Sequence, residues 1–198
     1  MNKIISTPLK RGTGAMEQRK RIHPHKFTLW VAIASILMMF AGFTSAYIVK
    51  KGQANWFTFE LPKVLWYSTA VIISSSITML LAERRFKSRE MQAYRGLITA
   101  TFLLGILFVA LQIIGFVTLS KNGLPLQKNV SVSFLYIIVG VHAVHVLGGI
   151  IALMVIFARA FSSRIRNYNA VPVEVMSTYW HFVDFLWIYL LIFLLMIR

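Results

Sequence analysis

The sequence predicts an all-α membrane protein, a bundle of five transmembrane helices with the N-terminus in the cytoplasm and the C-terminus outside. Three observations carry that expectation. Hydrophobic residues fill 58% of the 198 positions, and mean hydropathy is +0.69. Only 14% of residues are charged, against about a quarter in a soluble domain. The charges fall in short blocks, and between them lie five apolar runs of about the 20 residues a helix needs to cross the hydrocarbon core.

The first run, 27–49, follows the basic stretch Arg19-Lys20-Arg21 and Lys26. The second, 64–82, has Pro62 near its first turn, where a missing N–H does little harm. The third, 97–119, is uncharged and holds one amide, Gln112. The fourth, 130–158, contains His142 and His145, and the fifth, 175–197, contains His181 and Asp184. Strand-type alternation is lacking, which argues against a barrel. Residues before Phe27 are too polar for a cleaved secretory signal, so the first span is expected to remain in the mature protein. The chain thus divides into a basic cytoplasmic tail, 1–26, and one five-helix membrane domain, 27–198. The absence of Cys excludes disulfides, thiolate metal sites and cysteine nucleophiles.

Fifteen of the 21 Lys and Arg residues stand in the N-terminal tail and in the connections after spans two and four. Basic residues collect on the cytoplasmic side of membrane proteins, which sets the expected orientation. The same rule accounts for the net charge of +15 without nucleic acid, since no soluble face exists to bind it. The connections are short and carry turn chemistry, as in Lys121-Asn122-Gly123-Leu124-Pro125. Any function therefore resides in the bilayer or at its surface.

An ionisable side chain at membrane depth is expensive and marks a candidate site. Asp184 is the carboxylate placed well inside a span, and Glu174 stands near the start of the same helix. His181 and Asp184 are three apart, so they share a helix face and are expected to hydrogen-bond. A structural pair, a part in proton movement, and a lipid-headgroup or subunit contact are all open to them. His142 and His145 are also three apart. Imidazole suits a metal, but a catalytic zinc wants a third ligand, and di-iron bundles need repeated Glu-x-x-His motifs that are missing here. Bonds from these histidines to backbone or to a partner helix are expected instead.

Gly42, Ser45 and Ala46, Ser74 to Ser76, and Gly140, Gly148 and Gly149 are small enough to mark close helix packing. Trp66, Tyr67, Tyr179 and Trp180 fall near span ends, where aromatic anchors belong.

The string YWHFVDFLW, Tyr179 to Trp187, resembles the signature of subunit III of the haem-copper terminal oxidases, the cytochrome c and quinol oxidases. VGVHAVHVLGG, Val139 to Gly149, is similar to that family's His-x-x-His helix followed by small residues. Glu174, seven residues before His181, and Leu104-Gly105 with Gln112 also fit. The likeness runs from about Leu29 to the C-terminus and is strongest at the C-terminal end. It implies the five-helix bacterial form of cytochrome c oxidase subunit III, without the two N-terminal helices of the longer form, in the bacterial inner membrane. Such a subunit carries no active site and no cofactor of its own within an oxidoreductase complex of aerobic electron transport. Haem and copper sit on partner subunits. It packs beside the catalytic subunit I and other oxidase subunits, binds phospholipid and supports proton uptake during oxygen reduction. His142, His145, Glu174, Trp180, His181 and Asp184 would be structural, lipid or subunit contacts, with no catalytic or metal residue. Two family glutamates are missing, where Ser35 and Ile36 stand in span one and near Gly115 in span three, so their role does not carry over.

The quinol oxidase form, or a relative associated with nitric oxide reductases, shares this subunit fold. An independent transporter is opposed by the lack of an internal repeat and of Pro deep in any span.

Overall fold

The computed structural model describes residues 24–52, 64–121, 130–161 and 170–197. They form five α-helices: α1 (Pro24–Lys51), α2 (Val64–Lys87), α3 (Met91–Lys121), α4 (Val130–Phe161) and α5 (Val171–Ile197). No strand occurs among the described residues. Each helix has the length and hydropathy of a membrane span, the geometry that lets a backbone satisfy its own polar groups in lipid. Helical backbone continues past the apolar runs, so α3 begins at Met91 rather than Leu97, and α5 at Val171 rather than Val175. The basic tail through residue 23, Pro62 and the Asn122-Gly123-Leu124-Pro125 turn lie outside the described residues.

α2 and α3 form a tight antiparallel hairpin. The amide of Glu90 donates to the Arg85 carbonyl and that of Arg89 to Phe86, closing α2 with a Schellman cap. Arg89 takes the left-handed position, with φ 60, where glycine is usual. Along α2, the buried residues are Leu65, Ser68, Ile72, Ser75, Met79 and Ala82. Those of α3 include Ile98, Thr101, Gly105, Phe108, Gln112 and Gly115. Steps of three and four alternate in both, the 3.5-residue period of a coiled-coil seam. Lipid offers no hydrophobic drive to join helices, and in this seam small and polar side chains alternate with large apolar ones, letting the backbones approach and bond across. Gln112 Nε2 donates to Ser68 Oγ at 3.0 Å, and the Thr78 and Thr101 hydroxyls meet at 2.9 Å.

α3 then packs on α4, and α4 on α1. α5 packs on α1, α2 and α4. The four helices α2–α3–α4–α1 therefore form an arc around α5, and α1 makes no packing contact with α2 among the described residues. Half of the apolar window of α5 is buried, against 17% for α1. Outward-facing positions such as Met38, Val144 and Phe185 are exposed and apolar, as a lipid-facing surface requires.

Candidate functional site

Two tryptophans on one face of α5 organise the interior. Trp180 is 1% exposed. Its ring lies between two glycines: a β-carbon added at Gly105 of α3 would meet Trp180 Cη2 at 2.9 Å, and one at Gly149 of α4 would meet Cζ3 at 3.2 Å. Its indole N–H donates to Ser75 Oγ of α2 at 3.1 Å. Trp187, two turns on, donates to Thr69 Oγ1 of α2 at 3.1 Å. It meets the Phe108 ring of α3 edge-on at 5.3 Å and stacks on His142 of α4 at 5.2 Å. Each tryptophan thus touches three other helices. The interfacial anchor expected at Trp180 is corrected: the side chain is enclosed by α2, α3 and α4 and does not face lipid. Trp66 and Tyr67 are exposed at the start of α2.

The glycines divide by what they face. Gly105 and Gly149 admit Trp180, and Gly149 also faces Tyr179. A β-carbon at Gly42, Gly140 or Gly148 would meet nothing within 4 Å, so the close packing expected there is not formed. Of the serine run, Ser75 faces the bundle interior, whereas the exposed Ser74 donates to its own helix at the Ala70 carbonyl.

The α4 histidines have different surroundings. His142 is fully buried, with Phe40 and Phe108 edge-on to its ring. Neither of its ring nitrogens has a partner among the described residues, so the expected bond is absent. His145 Nδ1 lies 2.8 Å from the Val141 carbonyl, and Tyr179 donates its hydroxyl to the His145 carbonyl. Among the described residues, no three His, Cys, Asp or Glu side chains converge as a metal site would require.

His181 and Asp184 do not form the expected pair. His181 Nδ1 lies 2.5 Å from Ser76 Oγ of α2. Both carboxylate oxygens of Asp184, and His181 Nε2, are buried and have no partner among the described residues. The facing helix supplies a hydroxyl that reaches the ring directly, and that contact replaces one between neighbours on the same helix.

Glu174, at the start of α5, accepts from Lys26 of α1 at 2.7 Å and from Lys87 of α2 at 3.1 Å. Lys87 also pairs with Glu83 at 2.6 Å. This ionic clasp bridges α1 and α2, which make no packing contact among the described residues. Sequence reading used Lys26 and Lys87 only to set orientation. The usable signal was that both lie at the membrane end where the first turn of α5 carries Glu174.

On the other side of α5, a groove of about 840 Å³ runs between α1, α4 and α5. Gly148, Ala152 and Ile156 line it, together with Arg159 from the last turn of α4. The arrangement can hold an apolar chain along α4 and an anion at the guanidinium.

Comparison with known proteins adds the family. The family model described as cytochrome c oxidase subunit III matches residues 23–197. A "probable cytochrome c oxidase subunit 3" of Nocardia farcinica is 30% identical over 193 residues, 95% of each chain. The cytochrome c oxidase subunit 3 of Corynebacterium diphtheriae is 32% identical over 170 residues, 82% of each chain. The cytochrome bo(3) ubiquinol oxidase subunit 3 of Pseudomonas aeruginosa is 30% identical over 171 residues, 82% of this chain and 79% of the relative.

Proposed function

This chain belongs to the cytochrome c oxidase subunit III family, and on that premise we propose that it is the lipid-binding, non-catalytic partner of the catalytic subunit I. It is subunit III of a haem-copper oxidase and a multi-pass protein of the bacterial inner membrane. The observation that carries the reading is a family match running through all five helices, joined to what the signature string does. Within YWHFVDFLW, Trp180 and Trp187 tie α5 to the other helices, a scaffold role. His142, Trp180 and Trp187 hold the bundle, Glu174 clasps its end, and haem and copper reside on partner subunits. The N-terminus lies in the cytoplasm, in keeping with fifteen of 21 basic residues on that side. His145 backs α4, where the groove with Arg159 takes a phospholipid: acyl chain against Gly148 and Ala152, phosphate at the guanidinium. Holding lipid beside the catalytic subunit supports proton uptake by that neighbour. Cytochrome c is the electron donor in this reading; a likeness to a ubiquinol oxidase subunit of Pseudomonas aeruginosa keeps quinol as the second.

The test is purification of the tagged chain in mild detergent, with mass spectrometry and a visible absorption spectrum. Haem-bearing oxidase subunits are expected in the eluate, with no haem on this chain once separated. A colourless, unaccompanied chain would reject the assignment to such a complex.

A further inference from the structure

Two cavities flank the N-terminal part of α1, and they share a wall. One is the groove of about 840 Å³ between α1, α4 and α5. The other, of about 410 Å³, lies on the α2 side among the clasp residues Lys26, Glu83, Lys87 and Glu174, where α1 and α2 do not pack on each other. Leu29 of α1 and Val175 of α5 line both cavities, so these two side chains form the partition between them. α1 is held unevenly along its length. From this helix the continuous buried core takes Phe40 and Tyr47, with Ile36, Met39 and Phe43 packed against it. Beyond them, Thr44 Oγ1 lies 3.2 Å from the Tyr189 hydroxyl of α5, and Tyr47 meets Phe193 edge-on at 5.5 Å. Residues 26–35, about 15 Å of helix, add no side chain to that core; even the buried Ile33 stands apart from it. Across the two cavities this stretch is tied to α5 by the ion pair of Lys26 with Glu174.

We infer that residues 26–35 of α1 are a latched flap, pivoting on Phe40 and Tyr47 and fastened by Lys26 to Glu174, whose release joins the two cavities into one. Release draws Leu29 away from Val175, and the partition opens. The latch is weak by construction: its side chains are 43% and 25% exposed, so dissolved ions reach the pair and screen it. Lys87 binds Glu174 and Glu83 without involving α1, so α2 and α5 stay joined while the flap moves. An open flap gives the groove a second mouth, beneath α1 and into the opening beside α2, through which its occupant exchanges. That consequence rests on the reading of the groove as a lipid site; the flap itself does not.

The chain has no cysteine, so pairs of introduced cysteines carry spin labels at chosen places in the full chain, held in phosphatidylcholine nanodiscs. Val31→Cys with Leu81→Cys reports the flap against α2, and Val49→Cys with Tyr67→Cys reports the far end of the same two helices; all four positions are exposed. Lys26→Gln is expected to add a longer-distance population to the first pair and leave the second unchanged. Lys87→Gln, which keeps the latch, should change neither. Raising the salt should bring out the same longer population in the unlatched pair's parent, the chain with Lys26 intact. A first-pair distance indifferent to Lys26→Gln would overturn the flap, and so would equal shifts at both ends, which would mean that the whole helix moves. Exchange of retained lipid for deuterated phosphatidylglycerol, followed by mass spectrometry in mild detergent, tests the second mouth: Lys26→Gln should speed it. Longer distances with unchanged exchange would overturn the gating. A chain that retains no lipid in any form would reject the lipid reading of the groove, while the distances still decide the flap.

Discussion

Trp180 occupies the space a side chain at Gly105 would need. The indole of α5 reaches the α3 backbone so closely that a β-carbon there would stand 2.9 Å from Cη2 and 3.1 Å from Cζ2. The ring is rigid and also faces Gly149, so it has no room to give.

Gly105→Ala is therefore expected to destabilise the bundle by about 1–3 kcal/mol, the range for overpacking a filled core. Gly148→Ala, where a β-carbon meets nothing within 4 Å, should leave stability unchanged. Thermal unfolding of both variants in detergent checks the contrast, and equal midpoints would remove the close approach from the account.

Trp180→Phe keeps an aromatic ring but loses the bond to Ser75. Interhelical hydrogen bonds in membranes contribute about 0.6 kcal/mol on average. A double-mutant cycle with Ser75→Ala should return a coupling of about that size. Strict additivity of the two variants would show that the indole N–H contributes nothing.

Glu174→Gln breaks both ion pairs of the clasp. The side chains are partly exposed, 43% for Lys26, 49% for Lys87 and 25% for Glu174, so each pair contributes about 0–1 kcal/mol. The loss in thermal midpoint should be small and should shrink as salt screens the charges. A large, salt-independent loss would mean that Glu174 acts by some other contact.

Arg159→Gln should reduce the anionic phospholipid retained after gentle purification, and Ala152→Leu should reduce retained lipid of every headgroup. Arg159 supplies the charge and Ala152 the open space in the groove. Lipid extraction and mass spectrometry read both. Unchanged lipid content in the two variants would empty the groove of its proposed role.

Helix number was legible because apolar length alone marks a span. The faces were harder to read, since lipid-exposed positions are as apolar as buried ones: Met38 is 78% exposed, and Ile72 is 1% exposed. Polar and small residues carry that information instead, in the three-and-four alternation of Ser68, Ile72, Ser75 and Met79 against Thr101, Gly105, Phe108 and Gln112. At the α5 seam, spacing placed His181 and Asp184 on one face but could not reveal that Ser76 of another helix would take the histidine. Trp180 was read as an interfacial anchor because its own apolar run does not reveal that Gly105 and Gly149 of other helices enclose it. Arg89, in a left-handed turn position, is invisible to any search for glycine.

The hub of the bundle is its C-terminal helix. Synthesis proceeds from the N-terminus, so α1 to α4 leave the ribosome before the helix that binds them together exists. Until residues 171–197 follow, Gly105, Gly149 and Ser75 have no indole to meet, and α1 and α2 have no shared support. The native bundle is therefore completed by the final span, and a chain stopped after Phe161 is a set of helices awaiting its centre.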